Sequence, residues 1–149
     1  MDPIGGGRMI AIRDQIMTDA EACLQGKAAE IEVMPSGDPM QFDALHIYDD
    51  GQRPDQRTET GSQRQGMTLS IEGFVEDAGG RAALTRLNAL YAATVTAIFA
   101  MADASLLIED IEEGDMRINR VPLGSTHRLA FSIDFLITFP TRRGDPTAT

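Results

Sequence analysis

Residues 127–139 read His127-Arg128-Leu129-Ala130-Phe131-Ser132-Ile133-Asp134-Phe135-Leu136-Ile137-Thr138-Phe139, and this stretch decides the fold. Leu129, Phe131, Ile133, Phe135, Ile137 and Phe139 share one parity, while Ala130, Ser132, Asp134, Leu136 and Thr138 share the other. Successive side chains on a strand point to opposite faces, so the spacing predicts a long strand with one face in a core. Pro140 is expected to end it, leaving 140–149 as a polar tail without core residues.

Upstream, Leu106-Leu107-Ile108 and Met116 to Val121 read as two further strands. Between them Glu109-Asp110-Ile111-Glu112-Glu113-Gly114-Asp115 reads as a solvated turn; it lacks the Asp/Asn ladder and distal Glu of a calcium loop. From Arg81 to Ala102, Leu84, Leu87, Tyr91, Val95, Ile98 and Met101 form a helical stripe. The opposite face is alanine and threonine, with only Arg81 and Arg86 charged, so this helix is expected to be covered on more than one side, by central burial or by another subunit.

Before that helix, Met67, Leu69, Ile71, Gly73 and Val75 alternate with Thr68, Ser70, Glu72 and Phe74 and predict a strand that stops at Asp77-Ala78-Gly79-Gly80. Residues 49–66 contain no large apolar side chain and predict a long polar loop or arm. Leu45-His46-Ile47-Tyr48 is a strand closed by Asp49-Asp50-Gly51, and Ile31 and Val33 alternate with Glu30 and Glu32 in a shorter one. Met9, Ile12, Ile16, Ala20, Cys23 and Leu24 recur at helical spacing and predict a first helix ending at Gly26, after a flexible start over 1–7. Helix, strands, helix, strands is the order of an α+β domain, a mostly antiparallel sheet with two main helices on one face.

A chain of 149 residues fits a single domain spanning 1–149. Its net charge of −10 disfavours nonspecific attachment to nucleic acid while permitting DNA to pass an acidic wall without adhering. Cys23 is the only cysteine, which excludes an intrachain disulfide and fits synthesis in a reducing cytoplasm. The opening residues do not form a signal peptide, no stretch reads as a membrane span, and a soluble protein is expected.

No catalytic or metal-binding constellation emerges, and no cofactor is expected. His46 and His127 are the only histidines, and neither has neighbouring residues at metal-ligand spacing in the sequence. Cys23 on an apolar helical face reads as a small hydrophobe. Gly5-Gly6-Gly7-Arg8 lacks the preceding strand and the Gly-Lys-Ser/Thr ending of a phosphate loop. A hydrolase or ligand-binding module would have to draw on His46, His127 and Asp134, brought together by the fold.

Three segments taken in order carry a family likeness: Leu45-His46-Ile47-Tyr48-Asp49-Asp50; Met67 to Val75 before an Ala/Leu-rich helix; and the last strand running into Phe139-Pro140-Thr141-Arg142-Arg143-Gly144-Asp145-Pro146. Together they resemble the tail terminator, or tail completion, proteins of long-tailed phages, prophages and gene transfer particles. The resemblance implies a structural, non-enzymatic subunit made in the bacterial cytoplasm and residing in the virion tail or neck. It implies a hexameric ring that stops tail-tube polymerisation and meets the head connector or stopper protein, with DNA passing through the lumen and no membrane contact. Arg53, Arg57, Arg64, Arg81, Arg86, Arg142 and Arg143 are the expected interface residues, chosen as exposed cations that neighbouring acidic subunits can meet. A head–tail connector or tube subunit is the rival role, separable by whether copies close into one ring or stack into tubes.

Overall fold

The computed structural model describes residues 10–59 and 61–149, with the side chains of 55–59 and of 122 outside that description. The expected flexible start over 1–7 therefore lies outside the described residues. The elements run α1 (Ile12–Leu24), β1 (Glu30–Val33), β2 (Ala44–Glu59), β3 (Ser62–Asp77), α2 (Gly80–Ala104), β4 (Asp110–Leu123) and β5 (Thr126–Arg142). One five-stranded sheet has the order β1-β2-β3-β5-β4, with β1 parallel to β2 and every other pair antiparallel. The fold is α+β, as the element order predicts.

The alternation that predicts β5 sets the core. Phe131, Ile133, Phe135, Ile137 and Phe139 are buried on one face, in register with Gly73, Ile71, Leu69, Met67 and Gln65 of β3. Leu45 and Ile47 of β2 extend the same layer. Above it lie Ile12, Ile16, Met17, Ala20 and Leu24 of α1 and Ala83, Leu87, Leu90, Thr94 and Ile98 of α2. Tyr91 and Phe99 reach down from α2 to make edge-on contacts with Phe131 and Phe135, at 5.6 and 6.2 Å between ring centres. A Cβ on Gly73 would stand 2.1 Å from the Phe131 ring, so only glycine lets that ring lie across β3.

Several sequence expectations need correction. Residues 49–66 are not a loop: β2 and β3 continue as a hairpin with Gln52 opposite Met67 and Glu59 opposite Ser62, turning at Gly61 with φ +94°. Asp49-Asp50-Gly51 is a register shift within β2 and not its end. Pro140 does not stop β5, which runs to Arg142 with Thr141 buried. The reason is local, because β4 pairs with β5 only as far as Thr138, leaving one side of β5 open where proline has no N–H to give. The tail beyond is tied back, with the Ile12 N–H donating to the Pro146 carbonyl and the Arg143 N–H to that of Gly61.

The acidic stretch 109–115 is no turn either. From Asp110 it lies within β4, which bends at an irregularity between Glu113 and Met116. Gly114 sits at this bulge, where a Cβ would approach the Asp134 carbonyl oxygen at 3.0 Å. Leu106-Leu107-Ile108 precedes β4 as irregular chain, with Leu106 fully exposed. Gly80–Ala104 also corrects the expectation of no membrane-length segment, having a mean hydropathy of 1.3 over eighteen residues. That value comes from closely spaced Ala, Val, Ile and Leu without charge. Here one side of the helix covers the sheet, and lifting it away would bare the phenylalanines of β5.

Candidate functional site

Among the described residues the outer face of α2 is open. Ala82, Thr85, Ala89, Ala92, Thr96 and Ala100 are exposed there, and no charged residue lies between Arg86 and Asp103. Only 28% of the most apolar eighteen-residue window is buried. A solvated helix normally carries charge on its outer side, and this face carries none between Arg86 and Asp103. Among the described residues the chain buries a single side of the helix, so the expected cover on more than one side is not found there. Beside it, between α1 and α2, lies an open groove of about 620 Å³ lined by Cys23, Lys27, Ala93, Ala97 and Met101.

Both ends of the sheet are also open. β1 pairs only with residues 44–47 of β2, so the far half of β2 has no outer neighbour strand among the described residues. At the other end β4 is an edge strand carrying exposed Ile118, Val121 and Leu123. An unpaired edge offers backbone N–H and C=O groups to another strand.

The arginines separate into two groups. Arg53, Arg81, Arg142 and Arg143 are exposed, as an interface role requires. Arg64 is engaged within the chain, donating to Glu109 at 2.6 Å. Arg86 donates to the Glu76 carbonyl at 2.6 Å and pairs with Asp77 and Asp43, which fixes the start of α2 to the sheet end and to the loop before β2. The side chain of Arg57 lies outside the description.

The polar groups named for a hydrolase do not converge. His46 and Asp134 share the sheet face away from the helices but stand on β2 and β5 with β3 between them, two strand spacings across and two residues along, or roughly 12 Å apart. Asp134 accepts a hydrogen bond from the Ser70 hydroxyl at 2.6 Å, and Ser70 also bonds Asp50. His127 lies near the start of β5, against Gly80. Cys23 is in the interhelical groove, where burial pushes its thiol up to about 11 and leaves it an unreactive neutral group near neutral pH.

One cluster escaped the sequence reading. On the open face, Glu32 stands opposite His46 in the parallel β1–β2 register, and Glu30 two residues away shares its face. His46 is 1% exposed and its Nε2 is 2.6 Å from Glu30 Oε2. Glu30 Oε1 accepts the N–H groups of Met40 at 2.8 Å and Gln41 at 3.2 Å, and these bonds together hold the Glu30 carboxyl below its ordinary range, the His46 contact most of all. The alternation Glu30-Ile31-Glu32 signals two acids on one face, but nothing local reveals that a histidine fourteen residues on lies beside them.

No protein-family model matches the chain, and no curated protein matches it. Among solved structures it is similar to a chain from the virion of a native gene transfer agent particle, at 14% identity, over 93% of this chain and 99% of that one, with a TM-score of 0.36.

Proposed function

We propose that the chain is a structural subunit of a phage-type particle, a tail terminator that closes into a ring at the head-proximal end of a tail tube. The observation that carries the assembly reading is the uncharged outer face of α2, uncovered by any of the described residues. A neighbouring copy covers it in this reading. A closed ring joins one surface of each copy to a different surface of the next, and two unlike sheet edges, the far half of β2 and the whole of β4, provide such surfaces. The assignment to a tail terminator rests on the three-segment sequence resemblance. In the ring the open face of the sheet, with Glu72 and Asp134, suits a lumen that lets DNA pass without holding it. The tube protein and the head connector are the partners on either side, and no reaction is assigned.

Light scattering over a concentration series, with negative-stain imaging of the eluted species, tests this. A discrete ring near six copies that does not lengthen with concentration is expected. Thr96→Glu, on the exposed stripe, is expected to yield monomers with unchanged circular dichroism. Open-ended tubes would move the role to a tube subunit. A ring that Thr96→Glu leaves intact would remove α2 from the interface.

A further inference from the structure

The geometry points to a divalent transition-metal site on the open face of the sheet, formed by Glu30, Glu32 and His46 and suited to Zn²⁺. One ligand atom from each of the three residues lies within 4.8 Å of the other two. An imidazole nitrogen with carboxylate oxygens is a donor set that zinc takes, and three protein ligands leave a fourth position for water or a partner's side chain.

The three residues divide the work. His46 is held in place by burial beside the Phe74 ring, at 5.1 Å between centres. Glu30 has one oxygen fixed by the N–H groups of Met40 and Gln41, leaving the other directed at His46. Such outer hydrogen bonds orient a ligating carboxylate before the metal arrives. Glu32 is exposed and has no cationic partner among the described residues, so it is free to swing in as the closing ligand.

The fit requires a small adjustment. Two ligands at about 2.0–2.2 Å from a tetrahedral ion stand about 3.3 Å apart, so Glu30 Oε2 and His46 Nε2 must part by less than about 1 Å. The ion takes the place of their mutual hydrogen bond. Bound there, it adds a tie between the four-residue β1 and β2, whose strand register covers residues 30–33 against 44–47.

The test is calorimetric titration of the chelator-treated full chain with ZnCl₂, followed by thermal unfolding with and without the metal. Saturable binding of one ion per chain is expected, with a raised Tm and no comparable response to MgCl₂. Glu32→Gln, at an exposed position that leaves the Glu30–His46 contact intact, should weaken binding by at least about tenfold. His46→Gln should abolish it, and Cys23→Ser should leave it unchanged. Absence of saturable Zn²⁺ binding, Mg²⁺ binding of equal strength, or a Glu32→Gln variant that binds like the parent would overturn the assignment. Because Glu32→Gln preserves the buried contact, a folding defect in the His46 variant leaves the test intact.

Discussion

At the residue scale, Gly73 and Asp77 show how single positions fix the packing of the sheet against α2. Gly73 faces Phe131 across β3 and β5, and an added methyl would overlap a ring that is itself braced by Tyr91. Overpacking a tight core typically costs about 1–3 kcal/mol, so Gly73→Ala should lower the urea midpoint by an equivalent amount. Asp77 acts through charge. Its carboxylate accepts the Gly79 N–H at 3.1 Å and pairs with Arg86, which hold its pKa below the ordinary 3.8, the Gly79 bond first. A depressed carboxylate stabilises the fold above its unfolded pKa, and that contribution disappears as pH falls through the lower folded value. Asp77→Ala should therefore be less stable than the parent at pH 7, and denaturation curves should show the gap closing as pH drops below 3.8.

At the element scale, the two sides of α2 should respond in opposite ways. Leu87 is fully buried against the sheet, and truncating such a side chain costs about 2–5 kcal/mol, so Leu87→Ala should destabilise the monomer severely. Thr96 lies on the exposed side, where Thr96→Glu should change chemical stability by no more than about 0.5 kcal/mol while removing assembly. The buried side is legible in the sequence, where Leu87 and Ile98 fall on one helical stripe. β5 and the inner half of β3 were legible for the same reason, since each meets a core on one face and water on the other. The β2–β3 hairpin was not. Beyond Asp49 the residues of β2 are polar, so no apolar alternation marks the strand, and it is the backbone register with β3, from Gln52 opposite Met67 to Glu59 opposite Ser62, that defines it. Likewise Thr141 is a polar residue buried at the end of β5, and Gln65 donates to it at 3.4 Å, a pairing across 76 residues that no local pattern announces.

At the scale of the whole molecule, the net charge of −10 sets how copies of the chain meet. Like-charged subunits repel over the Debye length, which shrinks from about 30 Å at 0.01 M salt to about 8 Å at 0.15 M. Two contributions then compete. Exposed Arg53, Arg142 and Arg143 can attract the acidic start of β4, with Asp110, Glu112 and Glu113, on a neighbour, and salt weakens that attraction. The α2 face has no charge to lose, and its apolar burial does not depend on low salt. If α2 is the main contact, screening removes the general repulsion and leaves the attraction intact, so the assembled fraction should rise between 0.01 and about 0.15 M NaCl. If arginine pairs carry the contact, it should fall. We expect the rise, together with a steeper response in Arg142→Ala/Arg143→Ala, because removing two cations deepens the net negative charge that salt screens without touching the apolar face. Mass measured by light scattering at fixed protein concentration and stepped salt separates the two, and a falling assembled fraction would relocate the interface from α2 to the sheet edge and C-terminal arginines.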